Sequence, residues 1–146
     1  MNHDDDDRYT DRRWLGCDAI GQVAAFTTAG SGPIPHSALA AVDGADAGVE
    51  ALPIRGAYRL IAHAGNAEDW ISCAQSGLFA YDWSDIVADD CGYAYELLAV
   101  PLAPIRLPEL PSPLREIAAA TTIAHVVLGE NDLLSRRLLP DTEFPA

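Results

Sequence analysis

The sequence predicts an α+β fold: a mostly antiparallel sheet with two or three helices packed on one side. Three observations lead there. Short runs rich in β-branched and aromatic residues recur along the chain, bounded by Gly, Pro, Asn and Asp. Only a few segments carry helix start and stop signals, and the order of strand-like and helix-like segments suits helices gathered on one face of a sheet. No internal repeat and no linker divides the 146 residues, which is the length of about one domain.

Residues Arg13 to Asp18 and Gln22 to Thr28 read as two strands joined by the turn Asp18-Ala19-Ile20-Gly21, with Gly supplying the permissive backbone. Period two puts Val23, Ala25 and Thr27 on one face and Ala24, Phe26 and Thr28 on the other. The run Ala29-Gly30-Ser31-Gly32-Pro33-Ile34-Pro35 is too rich in Gly and Pro for a regular element. Asp43 to Leu52 reads as a short helix ended before Pro53, and Ala57 to Ala62 as a strand. Asn66 is a good N-cap for a helix whose first turn holds Glu68 and Asp69, whose inner face holds Trp70, Cys73 and Ala74, and whose stop is Gly77.

Leu78 to Trp83 reads as the next strand, and Tyr93 to Leu102 is the most strand-like stretch. Pro101 and Pro104 make its later part an edge or an exit. Ser112 and Pro113 open a helix in the favoured order of cap then proline. Leu114, Ile117, Ala118 and Thr121 form its inward stripe. Thr122 to Leu128 reads as a β-branched strand, Gly129 to Asp132 as a turn, and Leu133 to Leu139 as a last strand or a helical turn.

Composition narrows the function classes. The chain carries 22 acids against 9 bases, for a formal net charge of −13. Every base is Arg, a bias that an Ala-rich chain from a GC-rich genome would share. A negative field repels phosphate backbones and anionic lipid and attracts basic partners, so neither nucleic-acid nor membrane binding is expected. Residues 1–8 form an acidic tail, with Asp4, Asp5, Asp6 and Asp7 in a row, ahead of a single domain over 9–146. Arg8, Arg12 and Arg13 follow closely, placed to clamp that tail in the same chain or a neighbouring one. Cys17, Cys73 and Cys91 are odd in number and lack the close spacing of a zinc or redox motif, so buried free thiols in a reducing compartment are expected. No apolar leader is visible at the start and no run is long enough to span a bilayer, which points to the cytoplasm.

No recognised chemistry assembles from the motifs. Gly30-Ser31-Gly32 lacks both the third glycine of a dinucleotide fingerprint and the frame of a nucleophile elbow, and reads as a structural turn. Met1-Asn2-His3 has the form of a Cu(II) or Ni(II) chelate, as does any chain with His third, so no metal is assigned. His125 lies in an apolar run and reads as a core or half-core side chain. His36 and His63 lie near loops and are the candidate general bases if folding gathers a site with Cys17, Cys73 or Cys91. The spacing of Asp82 to Asp90 does not match a calcium loop. No catalytic residue and no cofactor is assigned.

The stretch between Arg59 and Arg106 holds seven acids and no Lys or Arg. Phe79, Tyr81, Trp83, Tyr93 and Tyr95 interleave with those acids. Aromatics supply contact area at interfaces and surrounding acids steer a basic partner. Tyr81, Asp82, Trp83, Asp85, Asp89, Asp90 and Tyr93 are therefore the candidate partner-binding residues. The bland alternative places the aromatics in the core with the acids as a solvated rim.

The run from Trp14 to Thr28, continuing through Gly32-Pro33-Ile34-Pro35, resembles the opening of small uncharacterised bacterial domains, some of them immunity-like proteins of polymorphic toxin systems. Tyr81-Asp82-Trp83 is a second echo of it. The resemblance covers about the first quarter of the chain and carries over no functional residue. It implies a small acidic domain that occludes a toxin's active site. The leading expectation is thus a non-enzymatic protein-binding module for a basic protein, an immunity-type inhibitor being its sharpest form. The alternatives are a small hydrolase or transferase with a site assembled by folding, and a self-associating structural protein that forms a homodimer.

Overall fold

The computed structural model describes residues 12–61, 67–89, 92–140 and 142–143. The acidic tail 1–8 lies outside them, as do His63, Asn66, Asp90 and Cys91. The elements run β1 (Arg13–Asp18), β2 (Val23–Thr27), β3 (Ile34–Pro35), α1 (His36–Leu39), α2 (Val42–Glu50), β4 (Tyr58–Leu60), α3 (Glu68–Gln75), β5 (Phe79–Asp89), β6 (Gly92–Pro101), α4 (Leu114–Ala119), β7 (Thr122–Ile123), β8 (Leu133–Ser135) and β9 (Thr142–Glu143).

The α+β class holds, with two corrections. Among the described residues there are four helices rather than two or three, and the sheet is mixed. Its order is β4-β6-β5-β2-β1-β7, with β8 also paired to β6. The β1–β2, β5–β6, β4–β6 and β6–β8 pairs are antiparallel, whereas β2–β5 and β1–β7 are parallel. The β2–β5 pair is parallel because β3, α1, α2, β4 and α3 all intervene, so the chain returns to the same end of the sheet before pairing. A separate two-stranded piece joins β3 to β9.

Both faces of the sheet are buried, and the period-two pattern assigns each strand residue to one of them. Leu15, Val23, Ala25, Ala80 and Ala99 face α2, α3 and α4, whose Ala45, Val49, Cys73, Ala74, Leu114 and Ala118 complete that layer. The small side chains at Ala25, Ala80 and Ala99 let the helices seat close to the strands. Trp14, Phe26, Phe79, Tyr81, Trp83, Tyr95 and Leu97 face the other way, under the segments that carry Ile34, Val126, Leu128 and Leu139, with Leu134 of β8 beside Tyr95 in the same sheet. Ala38 of α1 joins this second layer, so the helices are not all on one side.

The aromatic layer is specific in geometry. Trp14 stacks on Phe26 at 4.0 Å between centroids and meets Tyr95 edge-on at 5.7 Å. Its Nε1 donates to the Tyr95 hydroxyl at 3.1 Å, and that hydroxyl donates to Pro33 O at 2.9 Å. The covering loop passes so close that a Cβ on Gly32 would lie 2.6 Å from the Tyr95 hydroxyl and 2.8 Å from Trp83 Cβ. Gly30-Ser31-Gly32 is therefore a turn shaped by packing.

At the end of β1, Asp18 is 3% exposed. Its carboxylate accepts from the N–H groups of Ile20 and Gln22 at 3.2 and 2.9 Å, from Gln22 Nε2 at 2.9 Å and from Leu128 N–H at 3.0 Å. The expected turn forms, with Gly21 at φ +85°, and Asp18 also pins the segment after β7 to the sheet.

That segment departs from expectation. Only Thr122–Ile123 is strand; the chain then turns, and His125 is exposed at φ +67° rather than in the core. β6 is likewise no edge, because β4 and β8 lie in tandem along its outer side. Pro101 ends it, consistent with an exit.

Candidate functional site

Strand register gathers polar residues from four strands into one row. Arg13 pairs with Thr27, Thr27 with Asp82, and Asp82 with Glu96. Directly opposed residues share a sheet face, and this row lies on the helix-covered face, one step beyond Leu15, Ala25, Ala80 and Ala99. All four side chains are half-buried. Such a row exists because each strand carries a polar residue at the same level, which α2 and α3 reach through Asp46, Cys73 and Trp70.

The row is tied together. Thr27 Oγ1 donates to Asp82 Oδ1 at 2.6 Å, and Trp70 Nε1 of α3 donates to Thr27 Oγ1 at 3.4 Å. Arg13 bridges two helices. Its Nε and Nη2 reach Asp46 Oδ1 of α2 at 2.9 and 2.8 Å, Nη2 lies 3.7 Å from Glu50, and Nη1 donates to Cys73 Sγ of α3 at 3.4 Å. Burial works against the Arg13 charge, but Cys73 and Asp46 outweigh it and hold its pKa above the usual value. Around the row stand the exposed Asp69 in the first turn of α3, which acts on Cys73, and the exposed Glu50 of α2, beside Arg13.

The chemistry this arrangement offers is electrostatic. Burial pushes the Cys73 thiol up, with Asp69 and Asp46 adding to the rise against the opposing pull of Arg13. A protonated, buried thiol is a poor nucleophile. Cys17 is buried too. His36 is exposed on α1 and His125 is exposed beyond β7. Among the described residues, no group of three or more His, Cys, Asp or Glu is placed to hold a metal ion, and no helix is long and apolar enough to cross a membrane.

Of the residues expected to form a partner-binding face, Asp82 lies in the row. Tyr81 and Trp83 are corrected to core residues, 0% and 6% exposed. Period two turns both toward the aromatic layer, where Trp83 meets Tyr95 at 5.0 Å and the Tyr81 hydroxyl donates to Asn131 O at 2.8 Å. Asp85 and Asp89 have their backbones in β5 and Tyr93 in β6, but their side chains lie outside the described residues, as does Asp90 entirely. Sequence reasoning missed Arg13, Thr27 and Asp46 as members of an acid-lined site. Their one signal was register, which a linear reading does not carry.

Burial of neutral titratable groups has a consequence at high pH. Tyr81 is raised strongly by burial, as Cys73 is raised. Both protons leave more readily from the unfolded chain, at pKa values of about 10 and about 8.5. The stability they confer is therefore complete below those values. It falls as pH rises through them, because the unfolded chain then releases protons that the folded chain keeps. Urea midpoints should decline between about pH 9 and 11, and Tyr81→Phe should flatten the upper part of that decline. A midpoint constant over this range would contradict the burial described.

Comparison with family models, with curated proteins and with solved structures found no match to this chain.

Proposed function

We propose that the protein is a non-enzymatic binding module for a basic protein, and that the acid-lined row is its contact face. The observation that carries this reading is a polar row that ends in Asp82 and Glu96, flanked by Asp46, which is committed to Arg13, and by the exposed Asp69, which acts on Cys73. Carboxylates in excess of cations at one end of a domain focus a negative field. They raise the encounter rate with a basic surface more than the final affinity. The formal charge of −13 adds long-range attraction of the same sign.

An immunity-type inhibitor of a toxin effector is the sharpest form of the reading. The resemblance of Trp14 to Pro35 supports it, and its fold role is consistent: those residues build β1, β2 and the loop over the aromatic layer, a frame that would present the row.

The test is affinity capture from the source cell at low and high salt, using the wild-type chain and a Glu68→Arg/Asp69→Arg variant. Both residues are exposed, so the variant should fold. The expected result is a basic protein retained at low salt, weakened by high salt, and slowed about tenfold in association by the variant. Recovery of the same proteins by both forms at both salt levels would sink the reading.

A further inference from the structure

Among the described residues the sheet ends at β4, which pairs with β6 on one side only. Two hydrogen bonds fix its phase: Ile61 N–H to Leu98 O at 2.8 Å, and Leu102 N–H to Ala57 O at 3.0 Å. Inward and outward groups alternate along an antiparallel strand. The N–H and C=O groups of Tyr58 and Leu60 therefore turn away from β6.

The side chains at this edge are equally defined. Arg59 stands between those outward groups, is exposed, and shares the sheet face of its partner Val100. Ile61 and Leu102 fall on the same face by period two and are 41% and 61% exposed. Tyr58 and Leu60 instead pack inward against the helix-side core. The edge thus combines free main-chain pairing capacity, one cation at its centre and apolar area at both ends.

We infer that β4 is a strand-addition site for an extended, mainly apolar segment of a partner protein carrying a carboxylate opposite Arg59. Main-chain pairing with Tyr58 and Leu60 supplies binding, and the side chains on one face supply selectivity. Charge decides the occupant. In a symmetric antiparallel pairing of two copies, Arg59 would face Arg59, and like charges directly opposed destabilise a ladder. A segment with Asp or Glu there forms an opposite-charge pair in place of that repulsion. The inference is independent of the acid-lined row, since neither β4 nor Arg59 belongs to it.

The test uses the full chain and two labelled peptides of alternating Val and Thr, one with Asp and one with Lys at the centre, followed by fluorescence anisotropy. The wild type should prefer the Asp peptide by about fivefold, and Arg59→Glu should reverse the ranking. Amide exchange should slow at Tyr58 and Leu60 when the Asp peptide is present. Leu60→Pro removes an outward N–H while sparing the β6 ladder and should abolish binding. If that variant fails to fold, the ranking reversal by Arg59→Glu still decides the matter. Binding of neither peptide would overturn the inference and leave Arg59 as a charge that guards the edge from pairing. So would equal binding of both peptides, or self-association through β4 in sedimentation.

Discussion

Replacing Asp18 by Ala should cost the fold about 4 kcal/mol, a large part of the roughly 5–15 kcal/mol that holds a domain of this size together. The carboxylate accepts four hydrogen bonds while 3% exposed. Hydrogen bonds to a charged acceptor contribute about 1.5–3 kcal/mol each, and a buried donor left without a partner costs about 1–3 kcal/mol. Leu128 N–H becomes such a donor, because Leu128 is itself 2% exposed. The Ala variant also frees the segment after β7 from the end of β1. Asp18→Asn keeps one acceptor oxygen and the shape of the site, so it should lose about half as much. Urea denaturation of the three proteins measures both steps. An Ala variant as stable as the wild type would show that water replaces the lost acceptor.

Trp14→Ala should be nearly as damaging, at about 4 kcal/mol, the range for emptying a large aromatic site in a core. Trp14 is fully buried and touches the aromatic layer in three ways: a stack on Phe26, an edge contact with Tyr95 and a hydrogen bond to the Tyr95 hydroxyl. Trp14→Phe keeps a ring for the stack and loses the Nε1 donor, so it should cost about 1–2 kcal/mol. Thermal unfolding separates the two variants. Near-ultraviolet circular dichroism should lose intensity in both, because the coupled rings give that band its strength. A smaller loss in the Ala variant than in the Phe variant would contradict the packing described.

Local signals in the sequence carried far. The Asp18 to Gly21 turn, the two strands beside it, the helix around Trp70 and Cys73, and the long strand ending near Pro101 were all legible, because each depends on residues within a few positions of one another. The face assignments were legible too: period two separates Val23 and Ala25 from Ala24 and Phe26 whatever lies above them. What covers a face is not a local property. Phe79, Tyr81 and Trp83 alternate with Ala80 and Asp82, a pattern equally suited to an exposed aromatic face or a core. Loops more than forty residues away in either direction decided for the core. The stretch after Thr122 misled for a similar reason. Its β-branched residues suit a strand, but the hydrogen bond from Leu128 N–H to Asp18 draws it into a turn.

The candidate site shows the same limit more sharply. Asp82 stands in an acidic, aromatic neighbourhood in sequence, yet in space it accepts from Thr27 and lies opposite Glu96. Arg13 was noted only as a clamp for the acidic tail. Its partners are Asp46, Glu50 and Cys73, and no spacing rule connects positions 13, 46 and 73. Mixed topology is the underlying cause, since register across a parallel pair follows no hairpin rule.

The parallel pairing of β2 with β5 also sets the pace at which the molecule can assemble. The β1–β2 and β5–β6 hairpins join neighbours in sequence and close short loops, events of about 1–10 μs. Docking β2 onto β5 must first close the chain from 28 to 78, and β7 must return to β1 from still farther. A topology that defers its central contact to distant partners has high contact order and folds in about milliseconds to seconds. Until that contact forms, the facing edges of β2 and β5 are unpaired and the aromatic layer is split between the two hairpins. The interval is when the chain is most open to aggregation.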